Sequence, residues 1–154
     1  MQRITLLCVG SLKSSWAADG CKQYIDRLRG DIDLEIVELP ASKERDPERQ
    51  LREECIRLSE ALEKRTGKIW VLDEGGKCMT SEEFSGALSS LRDEGQPIIF
   101  VIGGAFGLSD AVRNKADCIL QLSNMTIPHE LCRIFFLEQL YRAAQIQKES
   151  GYHH

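Results

Sequence analysis

Apolar runs and amphipathic stretches alternate from one end of the chain to the other, and their periods predict the elements in order. Ile4-Thr5-Leu6-Leu7-Cys8-Val9 reads as a buried strand ended by Gly10, and Ala17, Cys21, Tyr24, Ile25 and Leu28 then recur at helical spacing until Gly30. Ile32, Leu34, Ile36 and Val37 form a more alternating strand that Pro40 closes. After a polar loop from Ala41 to Pro47 comes a long helix with Leu51, Cys55, Leu58 and Leu62 on its inner face. Its outer face is crowded with Glu and Arg, which predicts a solvated surface laced with i,i+4 pairs rather than a binding stripe. Gly67 ends that helix, and Ile69-Trp70-Val71-Leu72 is a short strand expected to halt in a turn at Asp73-Glu74-Gly75-Gly76.

Thr80-Ser81-Glu82-Glu83 has the pattern of a capped helix start, with Phe84, Leu88 and Leu91 facing inward. Pro97-Ile98-Ile99-Phe100-Val101-Ile102 is the most hydrophobic strand and runs straight into Gly103-Gly104-Ala105-Phe106-Gly107. A short helix from Ser109 to about Lys115, a strand from Cys118 to Leu122 and a last helix from about His129 to Glu149 complete the pattern. That last helix is apolar nearly all round, so it needs two partners: one face covers the parent sheet and the other is expected to meet a second subunit in a two-fold dimer. The fold class is α/β, a mainly parallel sheet about five strands wide flanked by helices, in one domain spanning residues 1–154.

Composition narrows the picture. With 20 Lys+Arg against 24 Asp+Glu the net charge is -4, which excludes a uniformly basic nucleic-acid surface and leaves room for a local patch. No apolar run reaches the roughly 18–20 residues of a membrane span, and the strand-like start carries no targeting pattern, so a cytoplasmic protein is expected. The six cysteines contain no C-x-x-C pair and are expected to be free, mostly buried thiols.

Ligands of open parallel sheets bind outside the carboxyl ends of the strands. Three loops qualify: Asp73 to Gly76, Gly103 to Gly107, and Ser123 to Pro128. Gly103-Gly104-x-x-Gly107 matches neither a dinucleotide fingerprint nor a phosphate loop, so it is equally compatible with a plain turn and with close backbone approach to a flat ligand. His129 opens the last helix, where the dipole disfavours imidazolium and favours a neutral acceptor; packing at the helix start is the simpler role. Arg133 and Arg142 suit phosphate binding and equally suit pairing with Glu130 and Glu138. Cys132, one turn from His129, does not make a metal site with it, and no metal is expected.

Val101 to Ser109, Leu122-Ser123-Asn124-Met125-Thr126-Ile127-Pro128-His129, Arg133, Glu138 to Ala143 and the closing Tyr152-His153 together resemble the ribosomal RNA large subunit methyltransferase H family. Leu7 to Gly10, Glu38-Leu39-Pro40 and Leu72 to Lys77 extend the resemblance over the whole chain. It implies a SPOUT-class homodimer with a C-terminal deep trefoil knot, S-adenosylmethionine as cofactor, and N3 of a pseudouridine in 23S rRNA of the ribosome as methyl acceptor. It implies a cofactor site at Leu72, Gly103, Gly104, Gly107, Leu122, Ser123, Asn124, Met125, Thr126, Ile127 and Pro128, catalytic roles for His129, Arg142, Tyr152 and His153, and substrate contacts from Arg133, Arg142 and Tyr152.

The chemistry asks for alignment of donor and acceptor, exclusion of water and help in removing the N3 proton, without a metal. Where the family commonly ends in Tyr-His followed by Arg or Lys, this chain ends Tyr152-His153-His154, which is expected either to reduce RNA affinity or to shift the phosphate contact to Lys148. The acidic balance directs recognition to a patch assembled across the dimer and to the assembled ribosome. Two rival functions remain: a knotted methyltransferase for tRNA or another RNA, and a non-catalytic ribosome-docking module.

Overall fold

A computed structural model describes residues 1–154. In chain order the elements are β1 (Gln2–Val9), α1 (Ser15–Leu28), β2 (Ile32–Leu39), α2 (Pro47–Glu63), β3 (Lys68–Cys78), α3 (Ser81–Asp93), β4 (Ile98–Ile102), α4 (Asp110–Arg113), β5 (Cys118–Gln121) and α5 (His129–Gln147). The five strands form one sheet in the order β2-β1-β4-β3-β5, every pair parallel.

Strand periodicity divides the core in two. Ile4, Leu6 and Cys8 of β1, Ile98, Phe100 and Ile102 of β4, and Trp70 and Leu72 of β3 point to the face covered by α1, α3 and α5. Leu7, Val9, Ile99, Val101 and Val71, one residue out of step, point to the face covered by α2 and α4. Because both faces are covered, the central strands are apolar without alternation, the signature of a parallel sheet. On the three-helix side Phe100 and Phe136 meet at 4.7 Å between ring centroids, with Trp70 and Phe84 completing an aromatic cluster.

Local signals explain where elements begin. Thr80 and Glu83 form the reciprocal capping box expected of α3, each side chain accepting from the other's backbone N–H at 3.1 and 2.9 Å. Asp46 caps α2 by accepting from the Arg49 N–H at 3.0 Å, with Pro47 at the first helical position.

Two expectations are corrected. The turn at Asp73 to Gly76 is a bulge inside a longer β3: Leu72 and Lys77 both pair with Leu120 of β5, and pairing continues to Cys78. Gly76 permits it, because a Cβ there would lie 2.7 Å from the Ile119 carbonyl oxygen. The outer face of α2 is not wholly solvated, since Glu54 is buried with Cys55, Leu58, Ala61 and Leu62.

No disulfide links the six thiols; Cys8, Cys21 and Cys55 are buried and Cys78 is exposed. Burial pushes the Cys8 thiol up to about 12 against a smaller downward pull from Arg133. Alkylation of native protein at pH 8 should therefore label Cys78 first and leave Cys8, Cys21 and Cys55 unlabelled until denaturant is added, read by mass spectrometry of tryptic peptides. Rapid native labelling of Cys8 would contradict this core.

Candidate active site

The carboxyl ends of β3, β4 and β5 converge on a cavity of about 770 Å³. Leu72 to Gly75 line it from β3, Ile102 to Gly107 from β4, and Gln121 to Ile127, apart from Asn124, from the end of β5 and the loop beyond it. His129 and Cys132 of α5 and Arg113 of α4 close the wall. Of the residues expected to hold a cofactor, Leu72, Gly103, Gly104, Gly107, Leu122, Ser123, Met125, Thr126 and Ile127 all reach this cavity, whereas Asn124 and Pro128 lie outside its lining. Pro128 serves instead as the N-cap of α5.

The glycines of the β4 loop are required for a reason different from close ligand approach. A Cβ on Gly103 would sit 2.5 Å from the Gly107 carbonyl oxygen, and one on Gly104 would sit 2.4 Å from Glu54 Oε1. Both would point into protein, so the loop is shaped by packing against its own scaffold. Gly107 has open space around it and a φ of 78°, a conformation that disfavours any side chain.

His129 is fixed from the far side of the sheet. Its Nε2 lies 3.2 Å from the Val9 carbonyl oxygen at the end of β1. A carbonyl only accepts, so Nε2 carries a proton, and Nδ1 is the nitrogen left for a ligand. Glu130 ties the same helix start to the chain before α1 by accepting the Lys13 and Ser14 N–H groups at 2.5 and 3.0 Å. Hydrogen bonds from Ser14 and Lys13 hold its carboxyl below the usual range.

Asp73 and Arg113 form an ion pair on the cavity wall that sequence reasoning missed. Arg113 Nη2 lies 3.0 Å from Asp73 Oδ1 and Nε donates to Oδ2 at 3.2 Å, while Oδ2 also accepts the Gly75 N–H at 3.1 Å. The Asp73 hydrogen bond holds the guanidinium above its ordinary range, against a smaller cost of burial. Asp73 therefore fixes the β3 bulge to α4; only the sheet brings residues so far apart in sequence together.

Arg133 departs most from expectation. It is 2% exposed, donates to Glu38 Oε2 at 2.6 Å and to the Gly10 carbonyl at 3.1 Å. Its guanidinium is thus turned inward onto the ends of β1 and β2, which corrects the expectation that it contacts rRNA phosphate. Glu130, the partner proposed from spacing, is occupied elsewhere.

Arg142, Tyr152 and His153 form a second cluster that does not line the cavity. Thirteen residues of helix separate Arg142 from His129, roughly 20 Å along the axis. Arg142 donates to Glu138 Oε1 through Nε and Nη2 at 3.0 and 2.6 Å, and Tyr152 donates to the same oxygen at 3.2 Å. The Glu138 hydrogen bond holds Arg142 above its ordinary range, and burial, then Glu138, push Tyr152 up. Arg142 Nη1 donates to His153 Nδ1 at 3.1 Å, so His153 Nε2 carries the proton that Glu82 accepts at 2.8 Å. The guanidinium also lies 4.9 Å from the Tyr152 ring centroid.

Comparison with known proteins places this architecture. Residues 2–153 match the family described as Predicted SPOUT methyltransferase. The chain is 40% identical over 153 residues to the ribosomal RNA large subunit methyltransferase H of Geobacter sp. strain M21, covering 99% of each chain. It is 40% identical over 156 residues to the protein of the same name from Clostridium beijerinckii, covering 97% of this chain and 98% of that one. The chain belongs to the ribosomal RNA large subunit methyltransferase H family. The fold is shared with a probable methylase family protein from Haemophilus influenzae, at a TM-score of 0.62 and 13% identity over 98% of this chain and 70% of the other. Within this family member, the cavity is bounded by the β3 bulge and the segments that follow β4 and β5, and α5 carries His129 at the cavity and the Arg142 cluster near its other end, away from it.

Two outcomes test how the site is built. Arg133→Leu should lower stability by roughly 2 kcal/mol in urea unfolding, since it strands Glu38, itself partly exposed, and frees the β1 carbonyl; a change confined to the salt dependence of RNA binding would restore the phosphate role. Because Glu130 titrates lower in the folded protein than in the unfolded chain, its stabilisation is complete above the ordinary carboxylate range and lost as pH falls through the folded value. Glu130→Gln should accordingly lower stability at pH 7 and flatten the acid limb of the stability profile, measured as urea midpoint against pH.

Proposed function

We propose that this chain uses S-adenosylmethionine to methylate N3 of a pseudouridine in 23S rRNA, on the assembled ribosome, in the cytoplasm. The observation that carries this reading is the convergence of Leu72, the Gly103–Gly107 loop, the 122–127 segment and His129 on one cavity in a chain of the methyltransferase H family. The residues present fit the cofactor. Apolar Leu72, Ile102, Leu122 and Ile127 supply surfaces for a flat base, and loop backbone supplies donors and acceptors for its edge.

When bound, S-adenosylmethionine supplies an electrophilic methyl group on a sulfonium. The chain's own part is to orient the acceptor and take its proton. His129 is held by Val9 through Nε2, which leaves Nδ1 to accept the imide proton of the uracil ring.

A homodimer through α5 belongs to the same proposal. Leu131 and Phe135 are exposed one turn apart on α5, and Trp16 at the start of α1 is 54% exposed. A second copy seated on that apolar face would bring the Arg142, Tyr152 and His153 cluster toward a cavity that one chain cannot reach with both ends of α5. The threading of the C-terminal segment is supported by its path. The chain leaves β5 at the sheet edge, and α5 starts against the end of β1, across β3 and β4.

Calorimetric titration with S-adenosylmethionine, followed by tritiated-methyl transfer to ribosomes lacking the modification, tests the reading. Saturable binding and label in 23S rRNA of assembled ribosomes are expected; binding without transfer would point to another RNA, and absence of binding to a docking module. His129→Ala should lower turnover roughly a hundredfold or more while changing cofactor affinity little. The cofactor should also slow alkylation of Cys132, which lines the cavity.

A further inference from the structure

Glu54 is the one acidic residue that α2 turns into the core. Its side chain is 2% exposed, its Oε2 accepts the Ser42 N–H at 2.9 Å, and its Oε1 has no hydrogen-bond partner. That free oxygen lies directly behind the cavity-lining loop: a Cβ built on Gly104 would stand 2.4 Å from Oε1 and 3.2 Å from Val9 Cγ1. The neighbouring Cys55 Sγ accepts the Ser109 N–H at 3.3 Å, so one turn of α2 meets both ends of the glycine loop. Within the loop the Gly107 N–H donates to the Gly104 carbonyl at 3.0 Å, while Ala105 and Phe106 donate no hydrogen bond to the protein.

A buried carboxylate oxygen without a donor is costly, and native proteins keep one where a partner arrives in another state or where function requires it. We propose that Glu54 is a positioning residue for the cofactor loop, its free Oε1 being the acceptor that a backbone N–H of the Gly103–Gly107 loop takes up in the cofactor-loaded protein. The proposal rests on the cofactor occupying the cavity described above. Ser42, Glu54 and Gly104 then form a relay from the end of β2, through α2, to the end of β4. Gly104 is a glycine because the carboxylate must approach the loop backbone this closely. Glu54 touches neither donor nor acceptor and acts only through the loop.

The test compares wild type, Glu54→Gln, and the pair Glu54→Ala with Gly104→Ala, each titrated with S-adenosylmethionine by calorimetry. Amide hydrogen exchange of residues 103–107 is followed with and without the cofactor. Wild type should bind and gain protection in the loop. Glu54→Gln retains an acceptor for Ser42, so it should unfold at the wild-type urea midpoint yet bind about tenfold more weakly and lose most of the ligand-induced protection. The double variant opens space for the new Cβ, so it should fold and still bind weakly. Wild-type affinity and protection in Glu54→Gln would overturn the proposal, as would full recovery of binding in the double variant, which would make shape alone sufficient. Failure of the wild-type loop to gain protection would overturn the placement of the cofactor itself, and the proposal with it.

Discussion

The end of β1 is where the structure is held together. The Gly10 carbonyl accepts from Arg133, the Val9 carbonyl lies against His129, and the Gly10 N–H donates to Leu39 of β2 at 2.7 Å. These contacts fix the start of α5, whose Phe136, Leu137 and Leu140 are buried in the sheet core, so the chain leaving β5 at the far edge returns to the middle of the sheet. That return carries the 122–127 segment over the ends of β3 and β4 and so closes the cavity. Arg133 is suited to the task because its planar fork satisfies a carboxylate and a carbonyl at once, which a lysine would not. The charge is retained in the core because Glu38, partly open to solvent, balances it.

From that anchor the site divides into a rigid and a preorganised part. The floor is sheet, with Leu72 and Ile102 fixed by ladders on both sides and by the core under α1, α3 and α5. The walls are held by side chains behind them: Asp73 and Arg113 for the β3 bulge, Cys55 for the far end of the glycine loop, Glu130 for the start of α5. Each is a polar contact from a neighbouring element, so the residues shaping the cavity are largely distinct from those lining it. Arg142, Tyr152 and His153 are held within the chain through Glu138 and Glu82, so their groups are ordered before the proposed dimer forms.

Much of the fold was legible in the chain. Continuous apolar runs at β1 and β4, helical spacing in α1 to α3, and the Thr80 to Glu83 capping box each have a local cause and emerged where the pattern put them. The misses share a cause too. The β3 bulge depends on Ile119 and Leu120 of a strand more than forty residues away, so Gly75-Gly76 looked like a turn. Glu54 sits three residues after Leu51 and four before Leu58, inside the apolar stripe of α2, yet its acidic type assigned it to the wet face. For Arg133 the spacing leaves phosphate binding and pairing with a carboxylate equally open, because charge type carries no information about which way a helix residue faces.

The sequence by itself determined the element order, the parallel character of the sheet and the three segments that line the cavity, because each follows from local periodicity and glycine placement, and its resemblance to the methyltransferase H family pointed to the activity. Tertiary structure alone decided that Arg133 is an internal anchor, that Glu54 lies behind Gly104, and that the Arg142 cluster is remote from His129 within one chain. The physical reason is that the sequence separations are large. Gly10 meets Arg133, Asp73 meets Arg113 and Glu54 meets Gly104 only after the sheet has brought their elements together, and no local preference of the chain encodes which of its many charges will find itself inside.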